Sequence, residues 1–240
     1  RMEREQILTA LQEGEITLQG QFVRGSNYTF LAETQSGEIT LKAVYKPARG
    51  EQPLWDFPAG TLGKREAAAY LVSQALGWGM VPPTVFRRKG PLGRGSLQLF
   101  IPHNPNRHYF NFTPQEKQRL RPVAVLDVLI NNADRKGGHI LLDEQDQLLL
   151  IDHGICFHVE DKLRTVVWDF AGQVIPAELL ADVQRIINEI ETQGTLVVAL
   201  KPLLRLSEIR AILRRGKDLL EKGCFPLPSG ERRVIPWPPV

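Results

Sequence analysis

Asn131-Asn132-Ala133-Asp134-Arg135-Lys136-Gly137-Gly138-His139, followed by Ile151-Asp152-His153-Gly154, is the stretch that decides the reading of this chain. Between the two segments lie the apolar runs Ile140-Leu141-Leu142 and Leu148-Leu149-Leu150, separated by the polar Glu144-Gln145-Asp146-Gln147. Short apolar runs around a polar turn predict a β-hairpin. A hairpin returns the chain to its starting point, so Asp134 enters and Asp152 leaves at the same end. The pattern therefore predicts two carboxylates and an imidazole, His139, gathered in one place.

Upstream, Arg1–Gly14 reads as a helix with Ile7, Leu8 and Leu11 on one side. Three strand-like runs follow, Glu15–Val23, Tyr28–Glu33 and Glu38–Lys46, separated by the turn residues Arg24-Gly25-Ser26-Asn27 and Thr34-Gln35-Ser36-Gly37. The loop from Pro47 to Gly63 leads into an alanine-rich helix over Lys64–Leu76, which ends at Gly77. Two more strands are expected at Thr84–Arg88 and Ser96–Ile101, and the polar Pro102–Asn111 marks a hinge. The order is three strands, a helix and two strands. Beyond the hinge, Thr113-Pro114-Gln115-Glu116 is a capping box with proline at the first helical position. A helix over Pro122–Asn131 delivers the chain to Asp134. Helical patterns resume at Ala177–Thr192, Leu196–Leu204 and Ser207–Lys222, and a proline-rich tail, Phe225–Val240, should wrap the surface.

Composition bounds the function. The 240 residues are 42% hydrophobic and 24% charged, an ordinary globular balance. A net charge of +3 offers no electrostatic case for nucleic acid, and no basic block suggests a membrane surface. No apolar run approaches the ~20 residues of a spanning helix, so integral membrane association is not expected. Cys156 and Cys224 are too few for a disulfide framework, which makes a reducing cytoplasm the expected setting.

Phosphoryl transfer to a hydroxyl needs a carboxylate that orients the nucleophile and accepts its proton. Asp134 is the candidate for that base, with Arg135 beside it to neutralise phosphate charge. Taken alone, Asp-Arg-Lys-Gly-Gly would read as an exposed charged turn; its place between a buried helix and a buried hairpin favours a site. Asp152 follows four apolar residues, where an acid is costly unless paired or metal-bound, and a hard divalent cation would satisfy it. His139 is a possible second metal ligand, better suited to manganese or zinc than to magnesium. A strand-edge histidine bonded to backbone is the competing reading. Lys46 ends the third strand and Glu66, the one carboxylate of the Lys64–Leu76 helix, is placed to hold it. Gly25, Ser26 and Asn27 stand where a phosphate-covering loop belongs, and Leu99 and Ile101, in the strand before the hinge, complete the expected nucleotide-binding set. Lys136, Lys162 and Arg164 are further possible phosphate or substrate contacts.

These residues resemble the branch of the kinase superfamily that holds phosphatidylinositol 3- and 4-kinases, HipA-type toxin kinases and Golgi secretory kinases, through Asn132-Ala133-Asp134-Arg135. More closely, the chain is similar to an uncharacterised bacterial family related to phosphatidylinositol 3- and 4-kinases. Val44-Tyr45-Lys46-Pro47, Pro53-Leu54-Trp55-Asp56-Phe57-Pro58, Arg65-Glu66-Ala67-Ala68, Val81-Pro82-Pro83-Thr84, Asn131 to His139, Asp152-His153-Gly154 and Lys162-Leu163-Arg164-Thr165 carry that likeness. It implies an α+β, two-lobed protein-kinase-like fold, with a small β-rich N-lobe over residues 1–103 and a mainly helical C-lobe over residues 104–240. It further implies ATP as substrate, magnesium or manganese as the ion, Asp134 as catalytic aspartate, Asp152 and His139 as metal ligands, and Lys46 on phosphate. Two departures are visible: His139 replaces the family's usual asparagine, and His153 stands where eukaryotic kinases carry phenylalanine.

The expected activity is γ-phosphoryl transfer from ATP to a hydroxyl of a protein or small molecule. A lipid acceptor is allowed by the resemblance, but the chain lacks an evident basic docking segment. Three rivals stay open: a catalytically weak nucleotide-binding regulatory module, a metal-dependent hydrolase built on His139, His153, Asp134 and Asp152, and nucleotidyl transfer on the same fold.

Overall fold

The computed structural model describes residues 3–22 and 28–240. Helix α1 (Arg4–Glu13) is followed by strands β1 (Glu15–Gln21), β2 (Phe30–Ser36) and β3 (Ile39–Pro47), helix α2 (Leu62–Ala75), and strands β4 (Thr84–Arg87) and β5 (Gly95–Leu99). The strands form one antiparallel sheet in the order β1-β2-β3-β5-β4. Side chains alternate across a strand. Ala32, Ala43, Tyr45 and Leu97 therefore share one face and pack with Leu11 of α1, while Val44, Lys46 and Gln98 line a cavity on the other. Helix α2 lies close to β5 because Gly63 has no side chain: a Cβ there would come within 2.9 Å of the Ser96 nitrogen.

The end of β2 differs from expectation. Thr34, Gln35 and Ser36 continue β2 instead of turning, paired through Gln35 to Thr40 and Ser36 to Ile39. Thr34 is fully buried, its hydroxyl donating to the Ala10 carbonyl of α1, so the tertiary contact overrides the local turn chemistry. Gly37, at φ +59°, makes the tighter turn that results. The expected phosphate-covering residues Gly25, Ser26 and Asn27 lie outside the described residues.

The second body is mainly helical. The Thr113 hydroxyl accepts from the Glu116 backbone N–H, and the Glu116 carboxylate accepts from that of Thr113, starting α3 (Pro114–Gln118) as the capping box requires. Helix α4 (Arg121–Ile130) ends at Asn131, which adopts the left-handed conformation at φ 51°. The hairpin follows as β6 (Ile140–Leu142) and β7 (Leu148–Leu150). Helices α5 (Ala177–Glu191), α6 (Thr195–Leu200) and α7 (Leu206–Lys222) complete the body. Helix α6 stops short of the expected Leu204. A continuous apolar core runs from Ala68 and Val72 of α2 through Leu126 and Leu129 of α4 to Ile187, Ile212 and Phe225. This is a two-lobed α+β architecture, with α2 anchored in the core of the larger lobe.

The tail does more than cover surface. The Thr165 N–H donates to the Val234 carbonyl (3.0 Å) and the Gly137 N–H to that of Pro239 (2.7 Å), so residues 234–239 brace the segment that follows Asp134.

Candidate active site

The hairpin brings Asp134 and Asp152 to the wall of one cavity of about 270 Å³, which Lys46 and Glu66 enter from the sheet side. Lys46 Nζ lies 2.6 Å from Glu66 Oε1 and 3.0 Å from Asp152 Oδ1, so one ammonium bridges the two lobes. Glu66 reinforces the bridge, since its Oε2 accepts the His153 backbone N–H at 2.9 Å. Burial opposes the charge on Lys46, but Asp152 and Glu66 outweigh it and hold the ammonium above its usual pKa. Lys46 in turn holds the Asp152 carboxyl well below the ordinary carboxylate range, against the cost of burial. Asp152 sits at φ 64°, a left-handed conformation that aspartate adopts more readily than most residues.

Asp134 differs in electrostatic character. Burial raises its pKa to about 6, with Lys136 opposing and the negative charge of Asp152 adding to the rise. Its backbone is fixed by Asn132, whose side-chain oxygen accepts the Asp134 N–H at 2.9 Å. The two acids are thus separated by environment, one firmly ionised and one poised near neutrality. His139 approaches Asp152, with Nε2 3.3 Å from Oδ2, and burial lowers its pKa to about 4 despite that carboxylate. Neutral imidazole beside ionised carboxylate is the charge state that metal ligation needs. Among the described residues, no group of three or more His, Cys, Asp or Glu is arranged to hold an ion by itself. The pair fits an ion whose other ligands are phosphate and water oxygens. Leu99 and Ile101 line the same cavity.

Arg135 is the correction. Although next to Asp134 in sequence, its side chain is fully buried on the far side of the loop. Its guanidinium donates to Asp127 of α4 through Nε (3.1 Å) and Nη2 (2.9 Å), to the Ile151 carbonyl (3.1 Å), and lies 2.8 Å from His153 Nε2. Arg135 is a scaffold for the loop and is not available to phosphate. His153 is likewise buried against Arg135, so it does not join His139 and the acids around an ion. Lys162 is engaged elsewhere, 3.4 Å from Asp56 and over the Trp55 ring.

Several residues that hold the site escaped the sequence reading. Asp127 accepts not only from Arg135 but also from Asn132 Nδ2 and the Thr165 hydroxyl, each at 3.1 Å. An acid inside the otherwise apolar run Val123–Ile130 was the available signal. Arg65, adjacent to Glu66, pairs with Glu208 of α7 at 2.7 Å and donates to the Cys156 carbonyl at 2.7 Å, fixing α2 on the larger lobe. Glu51, in the Pro47–Gly63 loop, accepts the Gly60, Leu62 and Gly63 N–H groups, so this loop caps the start of α2.

With this arrangement in view, comparison with known proteins is informative. The model of the family Phosphatidylinositol 3- and 4-kinase matches residues 60–219, a span that contains Glu66, Asp134, His139 and Asp152. The chain belongs to that family. Protein Rv2133c of Mycobacterium tuberculosis is 42% identical, over 95% of this chain and 93% of its own length. Phosphatidylinositol 4-kinase gamma 4 of Oryza sativa is 30% identical over 60% of this chain, which spans 32% of that plant kinase. The fold of this family member is also that of the Golgi casein kinase crystallised with Mn/ADP, at a TM-score of 0.55 and 18% identity, over 98% of this chain and 80% of the other. The kinase-like fold is thereby established. Among the described residues, no helix is long and apolar enough to cross a membrane.

Proposed function

We propose that this family member is an ATP-dependent phosphotransferase that moves the γ-phosphoryl group to a hydroxyl of a protein or small molecule. The supporting observation is the Lys46 bridge to Glu66 and Asp152, at the wall of a cavity that also holds Asp134. Glu66 aims Lys46 into the cleft, where the ammonium would neutralise phosphate charge. Asp134, raised toward neutrality, would orient the acceptor hydroxyl and take its proton. Asp152 and His139 would hold a divalent cation, magnesium or manganese, which supplies charge stabilisation to the phosphates when bound. The His139 Nδ1 accepts from the Lys136 N–H at 3.3 Å, so the imidazole proton sits on Nε2; ligation there calls for the other tautomer. In this reading, residues 1–103 and 104–240 are the two lobes and the cytoplasm is the setting.

The hydrolase alternative loses support, because it needs His153 at the ion and His153 is committed to Arg135. A regulatory nucleotide-binding module keeps one observation in its favour, the imidazole of His139 at the ion position. Autophosphorylation or slow ATP hydrolysis with manganese separates it from the enzyme.

Thermal melting tests the reading directly. ATP at about 100 times its Kd stabilises the native state by roughly 2.7 kcal/mol, which for a chain of this size raises Tm by about 5–10 °C. The rise is expected with ATP plus magnesium or manganese and is smaller without metal. An unchanged Tm with ATP, GTP and ADP in both metals would remove the proposal.

A further inference from the structure

Gln98 stands in β5 opposite Val44 of β3 on one side and Thr84 of β4 on the other. Its side chain therefore emerges on the face of Val44 and Lys46 and lines the cavity. A carboxamide has a donor end and an acceptor end, and which end faces a ligand decides what it recognises. Here the orientation is set by a chain of hydrogen bonds. The Thr84 hydroxyl donates its single proton to the Pro82 carbonyl at 2.7 Å. It can therefore only accept from Gln98, and Gln98 Nε2 donates to it at 2.8 Å. Thr84 and Gln98 are both buried, so the arrangement is shielded from competing water. Pro83 restricts the backbone of Pro82 and stiffens the origin of the chain. The amino end of the carboxamide is thereby turned toward Thr84 and its oxygen away from it.

We propose that Gln98 selects the base of the nucleotide: its fixed oxygen accepts an exocyclic amino group and repels an oxo group at the same place. The pocket is thereby matched to adenine and mismatched to hypoxanthine and guanine. The inference rests on the nucleotide reading of the cleft given above. An acceptor facing an acceptor leaves two desolvated lone pairs opposed, which is the kind of mismatch a polar site rejects strongly.

Equilibrium binding of ATP, purine riboside triphosphate and ITP, measured in the same divalent cation, tests it. Purine riboside triphosphate lacks the 6-substituent and ITP carries an oxo group there. The wild-type protein is expected to bind ATP about 10-fold or more tighter than ITP, with purine riboside triphosphate between them. In Gln98→Leu the ATP-to-ITP ratio should collapse to about 2-fold or less. Thr84→Val, which frees the amide to turn, should reduce the ratio without abolishing binding. Equal affinity for ATP and ITP in the wild type, a comparison that depends on no variant folding, would overturn the assignment, as would an undiminished ratio in Gln98→Leu. Binding of none of the three would overturn the nucleotide reading itself, and the role of Gln98 with it.

Discussion

Asp134→Asn is expected to lower phosphoryl transfer by about 10²–10⁴-fold, the range that a positioned general base contributes. The substitution preserves shape and removes the ability to accept a proton. The backbone of residue 134 is held by Asn132 independently of its own carboxyl group, so the loop should keep its course. Nucleotide affinity should remain close to wild type, because Lys46, Glu66 and Asp152 form their contacts without Asp134. Single-turnover transfer to a protein or small-molecule acceptor, or to the chain itself, paired with ATP binding, separates the two effects. Equal transfer rates would remove Asp134 from the role of base.

Asp127→Ala should be the most destabilising of the changes considered, by about 3–5 kcal/mol, because it leaves the buried Arg135 guanidinium without its counter-charge. For a chain of this length that loss corresponds to a fall in Tm of roughly 6–20 °C. The Thr165 hydroxyl and Asn132 amide lose their acceptor in the same step. Replacing Asp127 and Arg135 together by apolar residues of similar size is expected to recover part of the loss, since no buried charge is then orphaned. Denaturant unfolding measures both. A single-variant loss below about 1 kcal/mol would mean that the pair does not anchor the loop.

What could be read from the sequence was what local chemistry controls. Apolar runs around Glu144-Gln145-Asp146-Gln147 announced the hairpin, and the hairpin in turn implied that residues 134 and 152 meet. Threonine and proline at 113 and 114 announced the start of α3. The meander is recognisable, but local chemistry puts Thr34 in a turn because its burial under α1 is a long-range event. The direction of the Arg135 side chain is hidden for a similar reason. Neighbours in a loop can face opposite ways, and its partner Asp127 lies on a preceding helix, where a lone acid in an apolar run marks a buried partner without naming it. Gln98 carried no sequence signal at all. Its meaning comes from strand register, which places it between Val44 and Thr84, and from the direction of one hydroxyl proton.

Calorimetric titration of ATP with manganese into wild type, Asp152→Ala and Lys46→Met tests most directly whether these side chains serve one metal–nucleotide site. Wild type is expected to bind with one site per chain, and each variant to lose about 10-fold or more in affinity. For Asp152→Ala, the dependence on manganese should also largely disappear. Undiminished affinity in both variants would contradict the account.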